Sequence, residues 1–162
     1  MTRDPDHFGT GAAEISLARR FDGPRDLLFR LWTEPRYVAS WWGIEGATVP
    51  VCEIDLRPAG LWRLHMRTAD GTVYPNTYEF LEVVPNERLL FRDVRAPVAD
   101  GEPRQEPAVH TVTFHDDGDG TLVTLNTRFA SVEDCERAVR YGMQQGIEQS
   151  LDRLERLVAR TA

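Results

Sequence analysis

The sequence predicts an α+β protein in which a curved antiparallel sheet wraps around one long C-terminal helix. Residues 51–129 alternate between apolar and polar side chains with a period of two, and turn residues interrupt the alternation, as in successive antiparallel strands. Residues 131–160 instead carry an apolar stripe with the helical period of about 3.6 residues. Two short helical segments precede the strand-rich region. Because a lone sheet must cover its apolar face, the long helix is expected to pack against it.

The first elements are expected to be a strand and the two short helices. Residues 14–21 alternate in polarity, which predicts a strand. Pro24 then stands at the first position of a helix, where its missing N–H is tolerated. Pro35 begins the second helix in the same way, and Gly43 ends it. The fold class therefore includes two short helices after the first strand.

Turn signals divide the middle of the chain into strands. Asp70–Gly71 predicts a hairpin turn, and Pro85–Asn86 separates the next two strands. Residues 116–120 are rich in Asp and Gly and are expected to join the last two strands. The longer connection, Val94–Pro107, holds three prolines and is interpreted either as a gate at a cavity mouth or as a hairpin tip.

The C-terminal helix is expected to begin after Ser131 and to run unbroken to about residue 160. Its apolar stripe contains a dent, because Gly146 and Ser150 lie among larger side chains. Those larger neighbours are Met143, Ile147 and Leu151. The dent is either the floor of a pocket or a place where the helix packs closely on the sheet.

Size, composition and charge are typical of one globular domain. The chain has 162 residues, of which 41% are hydrophobic and 28% charged, and its net charge is −7. The negative charge disfavours nucleic acid and anionic membrane surfaces as partners, and no apolar run is long enough for a membrane span. We expect residues 1–12 to be a mobile N-terminal tail and residues 13–162 to form a single domain. Cys52 and Cys135 are expected to be free thiols in a reducing, cytoplasmic compartment.

Several classes of catalytic site have no support in the sequence. The chain contains no lysine, which excludes Schiff-base chemistry and a phosphate-binding loop. It also lacks an HExxH motif, a paired Cys-x-x-Cys and a G-x-G-x-x-G loop. The acidic segment 116–120 is too short for a calcium loop. No cofactor and no metal site are therefore expected, and any catalysis would depend on acid/base groups and the shape of a cavity.

The segment from Trp32 to Gly43 holds three of the four tryptophans. Trp41 and Trp42 are adjacent, so on a helix their rings point about 100° apart and one apolar face cannot take both. Because a buried tryptophan removes roughly 150–250 Å² from water, at least one ring is expected to meet a second apolar surface. That surface is a cavity wall, a bound molecule or a partner, and the sequence does not distinguish which ring meets it.

His110 is the most informative polar residue. It alternates with Val112 and Phe114 on the strand face that should point inward. An inward histidine either orients a ligand or carries a proton, or it is a core or rim histidine with satisfied hydrogen bonds. Its expected partners on neighbouring strands are Tyr78, Glu79 and Asp93.

The order of these segments resembles the SRPBCC (START-like, Bet v 1-like) superfamily. Residues 22–29 read like the "FDAPRELVF" opening of that superfamily. The WTEP…WWG block, the strand pair CEIDLRPAGLWRLHMR and the amphipathic C-terminal helix follow in the family's order. The resemblance covers residues 13–160 and is strongest for bacterial proteins similar to the C-terminal domain of the activator of Hsp90 ATPase. It implies a helix-grip fold with a cavity that opens near the two short helices.

Binding of a small hydrophobic or amphipathic molecule between the sheet and the C-terminal helix is the first functional hypothesis. The residues expected to contact this lipophilic ligand share an inward position. They are Trp41, Trp42, Trp62, Leu64, Tyr78, Phe80, His110, Phe114, Met143 and Ile147.

Two other functions stay open. One is an enzyme similar to the polyketide cyclases and aromatases of the superfamily, with His110, Tyr78 and Glu79 as its weak catalytic candidates. The other is a chaperone partner, which ranks last because only about twelve residues precede the first predicted strand. A homodimer is expected only if a tryptophan or an edge strand stays uncovered.

Overall fold

The computed structural model describes residues 7–10, 13–94 and 107–161. These residues form one antiparallel sheet and four helices. The strands are β1 (His7–Thr10), β2 (Glu14–Phe21), β3 (Thr48–Ile54), β4 (Leu61–Arg67), β5 (Val73–Val84), β6 (Arg88–Asp93), β7 (Val109–Asp117) and β8 (Gly120–Arg128). The helices are α1 (Arg25–Thr33), α2 (Pro35–Trp41), α3 (Val132–Arg140) and α4 (Met143–Thr161).

The sheet has the order β1-β2-β8-β7-β6-β5-β4-β3, and every neighbouring pair is antiparallel. From β3 to β8 the strands follow one another as hairpins, and β2 closes onto β8. Helices α1 and α2 form the crossover between β2 and β3, which lie at distant positions in the sheet. The α+β class, with a curved antiparallel sheet and a long C-terminal helix, is confirmed.

The core lies between the inner face of the sheet, which faces α4, and the helices. Alternate residues of the strands and one stripe of each long helix meet there. Among its wholly buried large side chains are Leu28, Leu31, Val38, Trp62, Leu64, Leu89 and Leu154. None of the described helices combines the length and the apolar composition that a bilayer crossing requires.

The expectation of one helix from Ser131 to about residue 160 is wrong. Ser131 does cap the segment, since its Oγ accepts a hydrogen bond from the Asp134 amide at 3.1 Å. The helix then stops at Tyr141, and Gly142 adopts a left-handed φ of +86° before α4 begins. The Gly142 amide donates to the Val139 carbonyl, and the Gly142 carbonyl accepts from Gly146 in the next helix. A glycine in this conformation ends one helix and redirects the chain into another.

The sheet begins earlier than expected. Residues 7–10 fall within the predicted mobile tail, yet their backbone pairs antiparallel with residues 15–18 of β2. The two short helices therefore follow the second strand. The added strand satisfies backbone groups of β2 that would otherwise lie at a sheet edge. The connection Val94–Pro107, interpreted from the sequence as a gate or a hairpin tip, lies almost entirely outside the described residues.

Candidate ligand-binding cavity

A cavity of about 260 Å³ lies between the inner face of the sheet and α4, beside the C-terminal ends of α1 and α2. Its wall combines aromatic rings from the helices and strands with aliphatic side chains. The aromatic contributors are Trp32, Trp41, Trp42, Tyr78 and Phe91. The contributors from α4 are Met143, Gly146, Ile147, Ser150 and Leu151.

The dent in the α4 stripe lies on this wall. At Gly146 an added Cβ would have only the Ile44 side chain within 4 Å, at 3.8 Å. The absence of a side chain at this position therefore leaves space in the cavity and does not serve close packing of the helix on the sheet. Of the two interpretations of the dent, a pocket surface or a site of close packing on the sheet, the geometry favours the pocket surface.

Both rings of the tryptophan doublet line the cavity, with different burial. Trp41 is fully buried, its Nε1 donates to the Leu31 carbonyl at 2.8 Å, and its ring meets Trp32 edge-on at 4.7 Å. Trp42 follows the last residue of α2 and is half-buried, with its ring 5.3 Å from Trp62. The helix ends between the two residues. The Trp41 ring therefore packs in the core and borders the cavity, whereas the Trp42 ring forms part of the cavity wall.

The loop after α2 is held over α4 by two polar side chains. Ser150 Oγ accepts from the Gly43 amide at 3.0 Å and donates to the Gly43 carbonyl at 3.1 Å. The Arg153 guanidinium donates to four backbone carbonyls of this loop and to that of Ser40 in α2, at distances between 2.9 and 3.5 Å. Burial lowers the pKa of Arg153. These contacts fix the segment that carries Trp42 and Ile44 onto the cavity.

The sheet-side end of the cavity carries a hydrogen-bonded group of three side chains, Asp93, His110 and Thr127, which we name the polar array. His110 Nε2 lies 2.8 Å from Asp93 Oδ1, and His110 Nδ1 lies 2.9 Å from Thr127 Oγ1. His110 and Thr127 are cross-strand partners in β7 and β8. The imidazole also stacks on Phe91, its partner in β6, at 5.1 Å. The strand register therefore assembles the array on the inner face.

The candidate residues divide into two sets. Those that line the cavity are Trp41, Trp42, Tyr78, His110, Met143 and Ile147. Those that lie in the solid core beside it are Trp62, Leu64, Phe80 and Phe114, each no more than 1% exposed. The Phe80 and Trp62 rings stack on each other at 5.8 Å, so these inward side chains face packed protein and not open space.

The acid/base candidates divide in the same way. Tyr78 lines the cavity and meets the His110 ring edge-on at 5.5 Å. Glu79 does not line it, because successive strand residues point to opposite faces and its carboxylate pairs with Arg92 at 2.9 Å. The arrangement thus offers one inward histidine with a carboxylate partner, and that partner is Asp93.

Several cavity residues were missing from the sequence-based set. Trp32, Phe91 and Thr127 line the cavity, and Trp32 carries a buried indole N–H with no hydrogen-bond partner among the described residues. Thr127 alternates with Leu125 and Val123, which is a signal of an inward face. Its relation to His110 depends on strand register, which single-strand patterns do not give.

The described residues offer little for thiol or metal chemistry at this site. Cys52 and Cys135 are free thiols, and neither lines the cavity. Burial raises the pKa of Cys52 to about 11 and also raises that of Cys135, which disfavours the reactive thiolates. Within the described ranges, no group of three or more His, Cys, Asp or Glu residues is arranged to hold a metal ion.

Comparisons with solved structures find the same fold in other proteins. A protein from Nitrosomonas europaea superposes with a TM-score of 0.82 at 24% identity, covering 93% of this chain and 97% of that one. A protein from Rhodobacter sphaeroides gives a TM-score of 0.85 at 18% identity, covering 98% and 100%. The AHSA1 protein from Silicibacter pomeroyi gives a TM-score of 0.71 at 22% identity, covering 93% of this chain and 100% of that one. At these identities the likeness shows the fold alone.

A comparison with curated proteins finds no match. The family model described as "Activator of Hsp90 ATPase homolog 1-like protein" matches residues 22–159, which run from the start of the crossover helices to the end of α4. Because this match spans most of the chain, the protein belongs to the family of Activator of Hsp90 ATPase homolog 1-like proteins, as its resemblance to the SRPBCC superfamily implied.

Proposed function

We propose that this protein binds a compact hydrophobic or amphipathic small molecule in the cavity between the sheet and α4. The observation that carries the proposal is a cavity of about 260 Å³ whose wall is largely aromatic and aliphatic. Protein interiors are close-packed and contain few voids larger than a water molecule. Unfilled space of this kind weakens a core, at roughly 24 cal/mol per Å³ in cavity-creating variants. A ligand that fills the cavity restores those contacts.

The volume limits the size of the ligand. A cavity of about 150 Å³ lined by apolar side chains accepts benzene, whereas drug-sized ligands occupy pockets of about 300–1,000 Å³. The present cavity lies between these cases. The aromatic rings of Trp32, Trp42 and Tyr78 offer flat surfaces to the ligand. A molecule of one or two fused rings with one or two polar groups therefore suits the site best.

An enzyme of the polyketide cyclase or aromatase type is the second candidate. The observation that favours it is the inward His110 with a carboxylate partner at one end of the cavity. A histidine oriented by a carboxylate is a common general base, and because its other ring nitrogen is bonded to the Thr127 hydroxyl, His110 would act on a ligand through that hydroxyl. Time-resolved mass analysis of each ligand identified in a binding screen tests this candidate. A change in ligand mass or structure that His110→Gln abolishes supports it.

A ligand screen on three proteins tests the binding proposal. Thermal unfolding is recorded for the wild type, for Ile147→Trp, which fills the cavity, and for Gln145→Trp, which adds the same ring to the exposed face of α4. At a hundredfold excess over Kd a ligand adds about 2.7 kcal/mol of stability, or about 5–10 °C in Tm for a chain of this size. We expect this rise for the wild type and Gln145→Trp only.

Two results would count against binding in the cavity. One is the absence of any stabilising compound in a library of one-ring and two-ring aromatics. The other is an equal response of the folded Ile147→Trp protein, which would place the bound compound elsewhere. Quenching of tryptophan fluorescence gives an independent readout, because Trp32, Trp41 and Trp42 all line the cavity.

A further inference from the structure

We propose that the sheet-side end of the cavity selects ligands that carry a hydroxyl group, and that Thr127, set by His110 and Asp93, is the acceptor for this group. The inference rests on the proposed binding function and names its ligand class, compact aromatic alcohols. It follows from the direction in which hydrogen bonds run along the polar array.

The direction begins at Asp93. An ionised carboxylate only accepts hydrogen bonds, so His110 Nε2 carries the proton in the 2.8 Å contact with Asp93 Oδ1. In the neutral imidazole the other ring nitrogen then has a lone pair and no proton. His110 Nδ1 therefore accepts at 2.9 Å from the hydroxyl of Thr127. Asp93 thus sets the tautomer of His110, and His110 Nδ1 accepts a hydrogen bond from the Thr127 hydroxyl.

The consequence concerns what Thr127 presents to the cavity. A threonine hydroxyl has one proton and two lone pairs, and its proton is engaged with His110. Thr127 lines the cavity, so the remaining capacity of its Oγ1 toward a ligand is that of an acceptor. A ligand hydroxyl or N–H matches this site, whereas a methyl group or an ether oxygen does not.

The packing around the array holds this direction in place. The His110 ring stacks on Phe91 at 5.1 Å with 28° between the planes, and Tyr78 meets it edge-on at 5.5 Å. Rotation of the ring would break both of its hydrogen bonds. Thr127 is buried in β8, and its β-branched side chain has few alternative rotamers. The acceptor is therefore organised before the ligand arrives, which reduces the entropic cost of binding.

Much of the wall near this contact is apolar, since Trp42, Phe91 and Met143 contribute contact area and no acceptor for a hydroxyl. Tyr78, Asn126 and Ser150 add other polar atoms to the wall, so the share of Thr127 in the preference is measured by substituting Thr127 itself. A ligand without a donor fills the same space but makes no hydrogen bond to the free lone pairs of Thr127 Oγ1, so it forgoes the gain of about 1 kcal/mol from that bond. We expect a preference of roughly tenfold in Kd, which corresponds to about 1.4 kcal/mol.

The test compares two probes of similar shape, 2-naphthol and 2-methylnaphthalene. Their Kd values are measured by tryptophan fluorescence in one buffer at one fixed pH. The proteins are the wild type, Thr127→Val, which replaces the hydroxyl with a methyl group, and Thr127→Ser, which retains it. Because the probes differ in hydration, the measured quantity is a ratio, the Kd of 2-methylnaphthalene divided by the Kd of 2-naphthol, in each protein. This ratio is expected to fall roughly tenfold in Thr127→Val and to change little in Thr127→Ser.

The outcomes separate this inference from the binding proposal. If both probes bind and the ratio is the same in the wild type and Thr127→Val, hydroxyl selection by Thr127 is refuted while binding in the cavity stands. If neither probe binds and no other compact aromatic stabilises the protein, both proposals fail. Circular dichroism establishes that each variant is folded. Should Thr127→Val not fold, Thr127→Ala removes the same hydroxyl and leaves room for a water molecule at His110 Nδ1.

Discussion

Arg153 shows how much of this molecule depends on single polar side chains. Its guanidinium donates to five backbone carbonyls, one at Ser40 in α2 and four in the turn that follows α2. Nothing in the local sequence marks it, because it stands among other charged residues of an amphipathic helix. Its role arises from the distance in sequence between α4 and the turn, so that only the folded chain reveals it.

Replacing Arg153 is expected to loosen the wall of the cavity. Arg153→Met removes one donor from each of these carbonyls, and we expect a loss of about 1–3 kcal/mol in the free energy of unfolding. Arg153→Lys should lie between this variant and the wild type, because an ammonium group has three donors and no planar fork. Urea denaturation measures the effect. The control is Arg140→Met on the exposed side of α3, expected to change stability by less than about 0.5 kcal/mol.

A loss no larger for Arg153→Met than for Arg140→Met would show that the turn does not depend on the guanidinium. The affinity for any ligand of the cavity should also fall in Arg153→Met, because Trp42 and Ile44 are carried by this turn. An unchanged affinity in a destabilised variant would separate the stability of the turn from its role in the wall.

At the scale of elements, the two glycines near the start of α4 have opposite roles. Gly142 takes a φ of +86°, where a side chain is strained, and separates α3 from α4. Gly146 lies inside the helix, where glycine costs about 1 kcal/mol relative to alanine. Its retention at a position that faces the cavity is explained by the space that it leaves there.

Alanine substitutions distinguish the two roles. Gly146→Ala is expected to stabilise the protein by up to about 1 kcal/mol, because the new Cβ meets only the Ile44 side chain at 3.8 Å. The same variant should bind 2-naphthol less tightly, since the methyl group enters the cavity. Gly142→Ala is the matched control and should destabilise by about 1 kcal/mol or more, because its φ is positive. Urea denaturation and fluorescence titration measure both properties.

The explanation would be wrong if Gly146→Ala lowered stability, since the position would then be closely packed. It would also be wrong if the variant bound 2-naphthol as tightly as the wild type, because the added methyl group would then lie outside the occupied space.

At the scale of the whole molecule, periodicity predicted the layers better than the site. The alternation over residues 14–21 predicted a strand whose bounds agree with β2, since burial of one face determines a period of two. Periodicity also placed His110 on the inner face. It did not join His110 to Thr127, because that contact depends on the register of β7 against β8, which the pattern of a single strand does not contain.

Periodicity also did not separate core from cavity. Trp62, Leu64 and Phe80 point inward as predicted, but side chains of the helices and neighbouring strands fill the space in front of them. Met143 and Ile147 point inward too, and the cavity lies in front of them. An inward position is a property of one strand or helix. Whether it meets atoms or a void depends on the shape that all the elements form together.

This division predicts that stability and binding depend on different apolar residues. Leu64 is wholly buried in the packed region, so Leu64→Ala should cost about 2–5 kcal/mol in the free energy of unfolding. Met143 is half-buried on the cavity wall and lacks packing partners on one side, so Met143→Ala should cost less than about 2 kcal/mol. For 2-naphthol we expect the reverse order, with a severalfold loss of affinity in Met143→Ala and little change in folded Leu64→Ala.

Urea denaturation and fluorescence titration of the same samples measure the free energy of unfolding and the affinity for 2-naphthol. If Leu64→Ala weakened binding as much as Met143→Ala, core and cavity would form one continuous packing unit, and the separate cavity on which both proposals depend would have to be abandoned.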